Sequence, residues 1–151
     1  YLYPVRTILK APQDYYIVPA DYGGAELAGI AWLSDDKTMI DHVRRNALSP
    51  EDPDYYEIHS QMAVKAFRLD CVPTKKGLED AGKLHLRIAA KSIIFGIPYG
   101  RGPEALVREC RQEGVEDITV DDCRLLIDTY FQLYPKVGDY LNECKRRSQV
   151  E

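Results

Sequence analysis

The sequence predicts a mainly α chain with one small β element, an α+β class. Three observations carry that expectation. Apolar residues recur at three- and four-residue intervals over most of the chain, as in His59 to Leu69, where Met62, Ala63, Ala66 and Phe67 form a stripe. One stretch, Tyr15 to Ala20 (YYIVPA), combines aromatic and β-branched residues in the manner of a short strand. Turn chemistry separates the periodic segments, most plainly at Ser49 to Asp54 (SPEDPD), which has two prolines and no apolar residue.

The elements follow in order. After the strand expected at Tyr15 to Ala20, Asp21 and Tyr22 lead into Gly23-Gly24, where glycine permits a sharp change of direction. Ala25 to Leu33 reads as a short, mostly apolar helix despite Gly29. Beyond the proline-rich loop comes the helix of His59 to Leu69, then Val72 to Lys83 as a loop or a weak turn of helix. Leu84 to Tyr99 is helical by spacing, although Pro98 lacks an amide donor and clashes with the preceding turn, so the helix should kink or end near Phe95. Pro103 suits the first turn of a helix running to about Glu113. Thr119 and Asp122 form a capping pattern ahead of Val120, Cys123, Leu126, Ile127, Tyr130 and Tyr134, and Pro135 marks a break. A last helix from Lys136 carries Val137, Tyr140, Leu141 and Cys144 on one side. A lone strand leaves its backbone groups unpaired if buried, and Tyr3 to Leu9 could supply only one partner. With no initial methionine, this points to a piece of a larger protein.

Composition narrows the function. The 151 residues are 45% hydrophobic and 29% charged, enough for one sizeable core. No run approaches the ~18 apolar residues of a membrane span, and no charged-then-apolar leader is present, so a cytoplasmic protein without a membrane partner is expected. The four cysteines show neither a CxxC pair nor a histidine at metal-ligand spacing and are expected to be reduced thiols. A net charge of −4 argues against a non-specific nucleic-acid binder. The charges are nonetheless segregated: Lys83 to Arg111 holds six Lys or Arg against two Glu, whereas from Asp14 to Glu57 acids outnumber bases ten to three. Such a division suits a site that handles metal ions and phosphates, and equally suits two solvated faces.

Within RIAAKSIIFGIPYG (Arg87 to Gly100), Arg87, Lys91, Phe95 and Tyr99 recur every fourth residue. On a helix they cover an arc of ~120° and ~18 Å of axis, while Ala89, Ala90, Ile93, Ile94 and Ile97 form a core-facing stripe on the other side. The rings could pack on a neighbour with the cations solvated. Alternatively, two cations followed by two rings suit a ligand with an anionic tail and a flat head, an order found in a nucleoside triphosphate. No GxxxxGK[ST] loop is present, which argues against a P-loop NTPase.

RIAAKSIIFGIPYG resembles the motif on the mobile fingers helix of family A DNA polymerases, the DNA polymerase I-like group. YYIVPADYGGAELAGIAWLSDD (Tyr15 to Asp36) is similar to that family's first palm motif, EIHSQMAVKAF (Glu57 to Phe67) to its Asp-Ile-His segment, and DDCRLLIDTYFQLYPKVGDYLNECKRR to the helices that close the fingers. The resemblance implies a partial palm over residues 1–36 and fingers over 37–151, with the nucleotide-binding helix at 84–99. It implies that Asp21, with the carbonyl of Tyr22, holds catalytic Mg²⁺ in a two-metal site, and that Glu26 excludes a ribose hydroxyl at C2′. His59 and Arg87 would grip the outer phosphates. Lys91 would protonate the departing pyrophosphate, Phe95 would pack on the incoming sugar and base, and Tyr99 would stack at the template position. Phe at position 95 implies discrimination against nucleotides lacking a 3′-hydroxyl. On their own, Asp21 reads as a turn former, Glu26 as an exposed helix carboxylate and His59 as a cap or core histidine.

The implied partners are primer-template DNA, dNTP, and the remaining palm and thumb, with self-association through apolar surface that the palm would otherwise cover. Gly23-Gly24 and Ala28 depart from the family pattern of Ser-Gln and Arg, and the two loops are longer than in bacterial members, as in a phage-type enzyme. The motif bearing the second metal-binding carboxylate lies outside the matched residues, so the chain alone is expected not to extend a primer. A single-subunit RNA polymerase fragment and a non-catalytic helical nucleic-acid-binding module are the alternatives.

Overall fold

The computed structural model describes residues 8–149. Among them are eight α-helices: α1 (Ala25–Ser34), α2 (Lys37–Asn46), α3 (Ile58–Phe67), α4 (Lys75–Asp80), α5 (Leu84–Gly96), α6 (Pro103–Gln112), α7 (Val120–Leu133) and α8 (Pro135–Ser148). The helix starts follow local chemistry. Gly24 precedes α1 at φ 72°, a conformation that costs glycine little. Asp36, Glu57 and Thr74 cap α2, α3 and α4 by accepting from the amides of Met39, Ser60 and Gly77. Thr119 and Asp122 form a reciprocal capping box on α7, and Pro103 and Pro135 open α6 and α8.

Helix α5 lies at the centre, packed against α3, α4, α6 and α7. Its buried side carries Ala89, Ala90, Ile93 and Ile94, and the following Ile97 is buried as well, which is the stripe expected from spacing. Tyr130 of α7 and Tyr134 before α8 are fully buried and meet edge-to-face, with ring centroids 5.1 Å apart. Gly96 lets α5 approach α6 closely, because a Cβ there would collide with the Leu106 side chain. Helix α1 rests on α2 and α8.

The small β element is the correction. No strand is present among the described residues, and Tyr15, Tyr16, Ile17 and Val18 are all exposed. An extended segment becomes a strand only when a neighbour completes its ladder. The partner expected from Tyr3 to Leu9 falls mostly outside the described residues. Two further differences are smaller. The α-helix of Leu84 ends at Gly96 and continues as a single 3₁₀ turn over Ile97–Tyr99, which is how the chain accommodates Pro98. The weak turn expected within Val72 to Lys83 is a defined helix, α4. Helix α2 was not expected at all, because Lys37, Asp41, Arg44 and Arg45 outnumber its apolar residues Met39, Ile40 and Val43. None of the four cysteines is in a disulfide, and none of the described helices is long and apolar enough to cross a membrane.

Asp36 joins the second and last of these helices. Its Oδ1 accepts from the Met39 amide at 3.0 Å and its Oδ2 from the Lys136 amide at 3.1 Å, so one buried carboxylate caps both α2 and α8. Asp36→Ala removes both acceptors from buried amides. It should destabilise the chain by about 2 kcal/mol in urea unfolding, whereas Asp35→Ala at the exposed neighbour should be near neutral.

Candidate nucleotide-binding site

The residues singled out on α5 occupy one side of the helix, and α3 contributes the rest of the arrangement. Arg87 is held bidentately by Glu57, with Nε 3.1 Å from Oε2 and Nη2 2.8 Å from Oε1. The same carboxylate caps α3 through the Ser60 amide at 3.1 Å and accepts from the Ser60 hydroxyl. His59 Nδ1 lies 3.3 Å from Oε1. Burial acts to raise the pKa of Glu57, but the hydrogen bonds from His59, Arg87 and Ser60 and the charge of Arg87 prevail and hold it at about 2.

His59 is thereby fixed beside α5. Its ring is nearly parallel to Phe95, with centroids 5.9 Å apart and planes inclined at 26°. Its Nε2 is buried with no hydrogen-bond partner in the protein. Lys91 is exposed one turn beyond Arg87. Arg87, Lys91 and Phe95 line a cleft of about 270 Å³ that also includes Glu109 of α6 and Glu113 just after it.

At the far end of the helix a second pair forms. The Tyr99 hydroxyl donates to Glu26 Oε1 at 2.6 Å, linking the 3₁₀ turn to the first turn of α1. This hydrogen bond, with the carboxylate's charge, raises the phenol pKa. Glu26, Phe95 and Tyr99 line a mainly apolar cleft of about 360 Å³.

Asp21 stands apart, exposed on the segment before α1, with Oδ1 accepting from the Tyr22 amide at 2.8 Å. Its other oxygen and the Tyr22 carbonyl are hard donors of the type that suits Mg²⁺. Among the described residues, no three His, Cys, Asp or Glu side chains converge to hold a metal. The donors present therefore fit Mg²⁺ chemically but form only part of a coordination shell. The structure brings His59, Arg87 and Phe95 together and pairs Glu26 with Tyr99. Glu57, the residue on which the first group converges, was read from sequence only as part of the Glu-Ile-His segment. The signal that could have revealed it is the cap pattern Glu57-x-x-Ser60 preceding a periodic helix.

The sequence model of DNA polymerase family A matches residues 3–151. The chain belongs to DNA polymerase family A. Its relatives include the DNA polymerase of Escherichia phage T5, 34% identical over 93% of this chain and 17% of the relative. They also include DNA polymerase I of Caldicellulosiruptor bescii, 28% identical over 91% of this chain and 14% of the relative. The thermostable DNA polymerase I of Thermus thermophilus is 29% identical over 97% of this chain and 15% of the relative. The chain thus spans less than a fifth of the length of these relatives.

Because the folded-state pKa of Glu57 is depressed, its contribution to stability is complete above the unfolded value near 4.5 and is lost as pH falls toward about 2. Urea unfolding followed from pH 6 to pH 2, a range chosen to bracket both values, should show stability falling in that window. The fall should be shallower in Glu57→Gln, which is less stable at neutral pH but has no carboxylate there to protonate.

Proposed function

We propose that this chain is the fingers and part of the palm of a DNA-directed DNA polymerase, where it binds incoming dNTP for template-directed nucleotidyl transfer. The observation that carries the reading is the order of groups along α5 and its 3₁₀ turn: Arg87, joined to His59 through Glu57, then Lys91, then Phe95, beside which the His59 ring lies, and finally Tyr99. A dNTP lying along this side would set its outer phosphates against Arg87 and His59, its inner phosphates near Lys91, and its sugar and base on Phe95. The division into palm (1–36) and fingers (37–151) belongs to the same proposal.

The reaction is attack of a primer 3′-hydroxyl on the α-phosphate with pyrophosphate as leaving group. Lys91 protonates that leaving group, and Arg87 offsets charge on the outer phosphates. Glu26 occupies the space a 2′-hydroxyl would need, and its hydrogen bond from Tyr99 holds the carboxylate in place. Asp21 and the Tyr22 carbonyl would hold Mg²⁺, which when bound stabilises charge on the attacking and leaving oxygens. The second carboxylate would come from the rest of the palm, so the isolated chain should not extend a primer. Primer-template DNA and the missing palm and thumb are the partners proposed. Exposed Tyr15, Tyr16, Val18, Trp32 and Leu33 are apolar surface suited to the palm or, in the isolated chain, to self-association. Gly24 has a backbone role here, since its φ of 72° starts α1.

Calorimetric titration of the folded chain with dATP and Mg²⁺ tests the reading. Binding should weaken at least about tenfold in Arg87→Ala and in Lys91→Ala, each of which removes a charge-assisted contact to phosphate. Binding unchanged in both variants would exclude α5 as the triphosphate site. In the complete polymerase, Phe95→Tyr should increase incorporation of dideoxynucleotides relative to dNTP in primer extension.

A further inference from the structure

Glu57 makes three of its contacts to the two side chains assigned to the outer phosphates: Arg87 Nε, Arg87 Nη2 and His59 Nδ1. We infer that Glu57 is a positioning residue for triphosphate binding, setting the direction in which Arg87 and His59 present their remaining N–H groups; this rests on the nucleotide reading above.

The donor inventory supports it. Glu57 takes up the Arg87 Nε hydrogen and one Nη2 hydrogen, leaving the Nη1 pair and the second Nη2 hydrogen for another acceptor. A carboxylate only accepts, so at His59 the proton must sit on Nδ1. That leaves Nε2 as the atom that addresses a ligand, and it meets a phosphate oxygen as an N–H donor, with a hydrogen on each ring nitrogen. Nε2 is buried and has no protein partner, a cost that an incoming oxygen would relieve once the ring or the adjoining Phe95 shifts.

The opposing effect is repulsion between Glu57 and a polyanion. The geometry limits it: the Glu57 side chain is 7% exposed, against 19% for Arg87, and both of its oxygens are occupied. An arginine freed from Glu57 would regain rotamers that triphosphate binding must then freeze. A histidine without its Nδ1 acceptor would lose both tautomer and direction. Preorganisation therefore outweighs repulsion, and removing Glu57 weakens binding.

The test is titration of the ¹⁵N-labelled chain with inorganic triphosphate, reading the Arg87 Nε–H and His59 ring signals. Glu57→Gln should move the Arg87 Nε–H resonance toward that of an exposed arginine and weaken triphosphate binding roughly tenfold. Glu57→Asp, which keeps the charge, should recover most of that loss. Asp36→Asn provides the comparison, because it removes charge from a buried cap away from α5. It should lower the melting temperature and leave triphosphate affinity within about twofold.

Unchanged or tighter binding in Glu57→Gln overturns the positioning role, as does an equal loss in Asp36→Asn. Should Glu57→Gln not fold, Arg87→Lys decides the matter. It keeps the charge but cannot make the bidentate bond, so it should bind roughly tenfold more weakly, and full affinity overturns the inference. Absence of binding by the parent chain overturns both the nucleotide reading and the positioning role. Parent binding with no effect of Glu57→Gln overturns the second alone.

Discussion

The arrangement of this chain depends on keeping a carboxylate ionised inside it. Glu57 is buried where a charge would be costly without compensation, and it is compensated by Arg87, the Ser60 amide and hydroxyl, and His59. Removing one partner of a buried pair typically costs ~3–5 kcal/mol, and the partial exposure of Arg87 places this pair toward the lower end. The interaction is local as a helix cap and non-local as a tie between α3 and α5, which are 30 residues apart at Glu57 and Arg87. It thus positions the central helix and its candidate ligand groups through the same atoms.

Asp36 uses similar chemistry for a different purpose. It also is a buried carboxylate at a helix start, but its two oxygens go to backbone amides of α2 and α8 rather than to side chains. Backbone amides cannot rearrange without unwinding a helix, so this cap fixes architecture. The Arg87 guanidinium retains further donors after binding a carboxylate, so Glu57 can support a site. Near Asp36, His42 Nδ1 lies 2.9 Å from the Tyr134 hydroxyl and the ring stacks on Tyr56 at 3.9 Å, closing α2 against the start of α8. Burial holds the His42 pKa below its ordinary value, consistent with a neutral ring in this packed position.

What could be read from sequence follows from what is local. The α5 stripe, the capping box at Thr119 and Asp122, the helix start at Pro103 and the break at Pro135 are each set within a few residues, and each is present. The break at Pro98 was legible for the same reason. Helix α2 was missed because its charged residues hide a narrow apolar edge that becomes informative only with Asp36 recognised as its cap. The expected strand at Tyr15 to Ala20 has the propensity of a strand but no ladder among the described residues, and propensity cannot supply a partner. In the candidate site, the fourfold spacing exposed Arg87, Lys91, Phe95 and Tyr99, while the carboxylates that hold the first and last of them lie on other helices. Those pairings, Glu57 with Arg87 and Glu26 with Tyr99, are tertiary facts without a sequence period.

The two pairings differ in strength, and that difference bears on how α5 can move. At its N-terminal end, Arg87 is joined to a buried carboxylate by two hydrogen bonds, and displacement would leave Glu57 without its principal cation. Beyond its C-terminal end, Tyr99 is exposed and joined to Glu26 by one hydrogen bond for which water competes. Between them the backbone passes from α to 3₁₀ geometry at Gly96 and Ile97, where Pro98 has no amide to contribute. Rearrangement therefore costs least beyond Gly96. A ligand engaging both ends would meet a fixed cationic site at Arg87 and an adjustable ring at Tyr99. On the nucleotide-binding proposal, that asymmetry would suit a constant triphosphate joined to a variable base, because rigidity favours the common part of a ligand and compliance the part that must be tested.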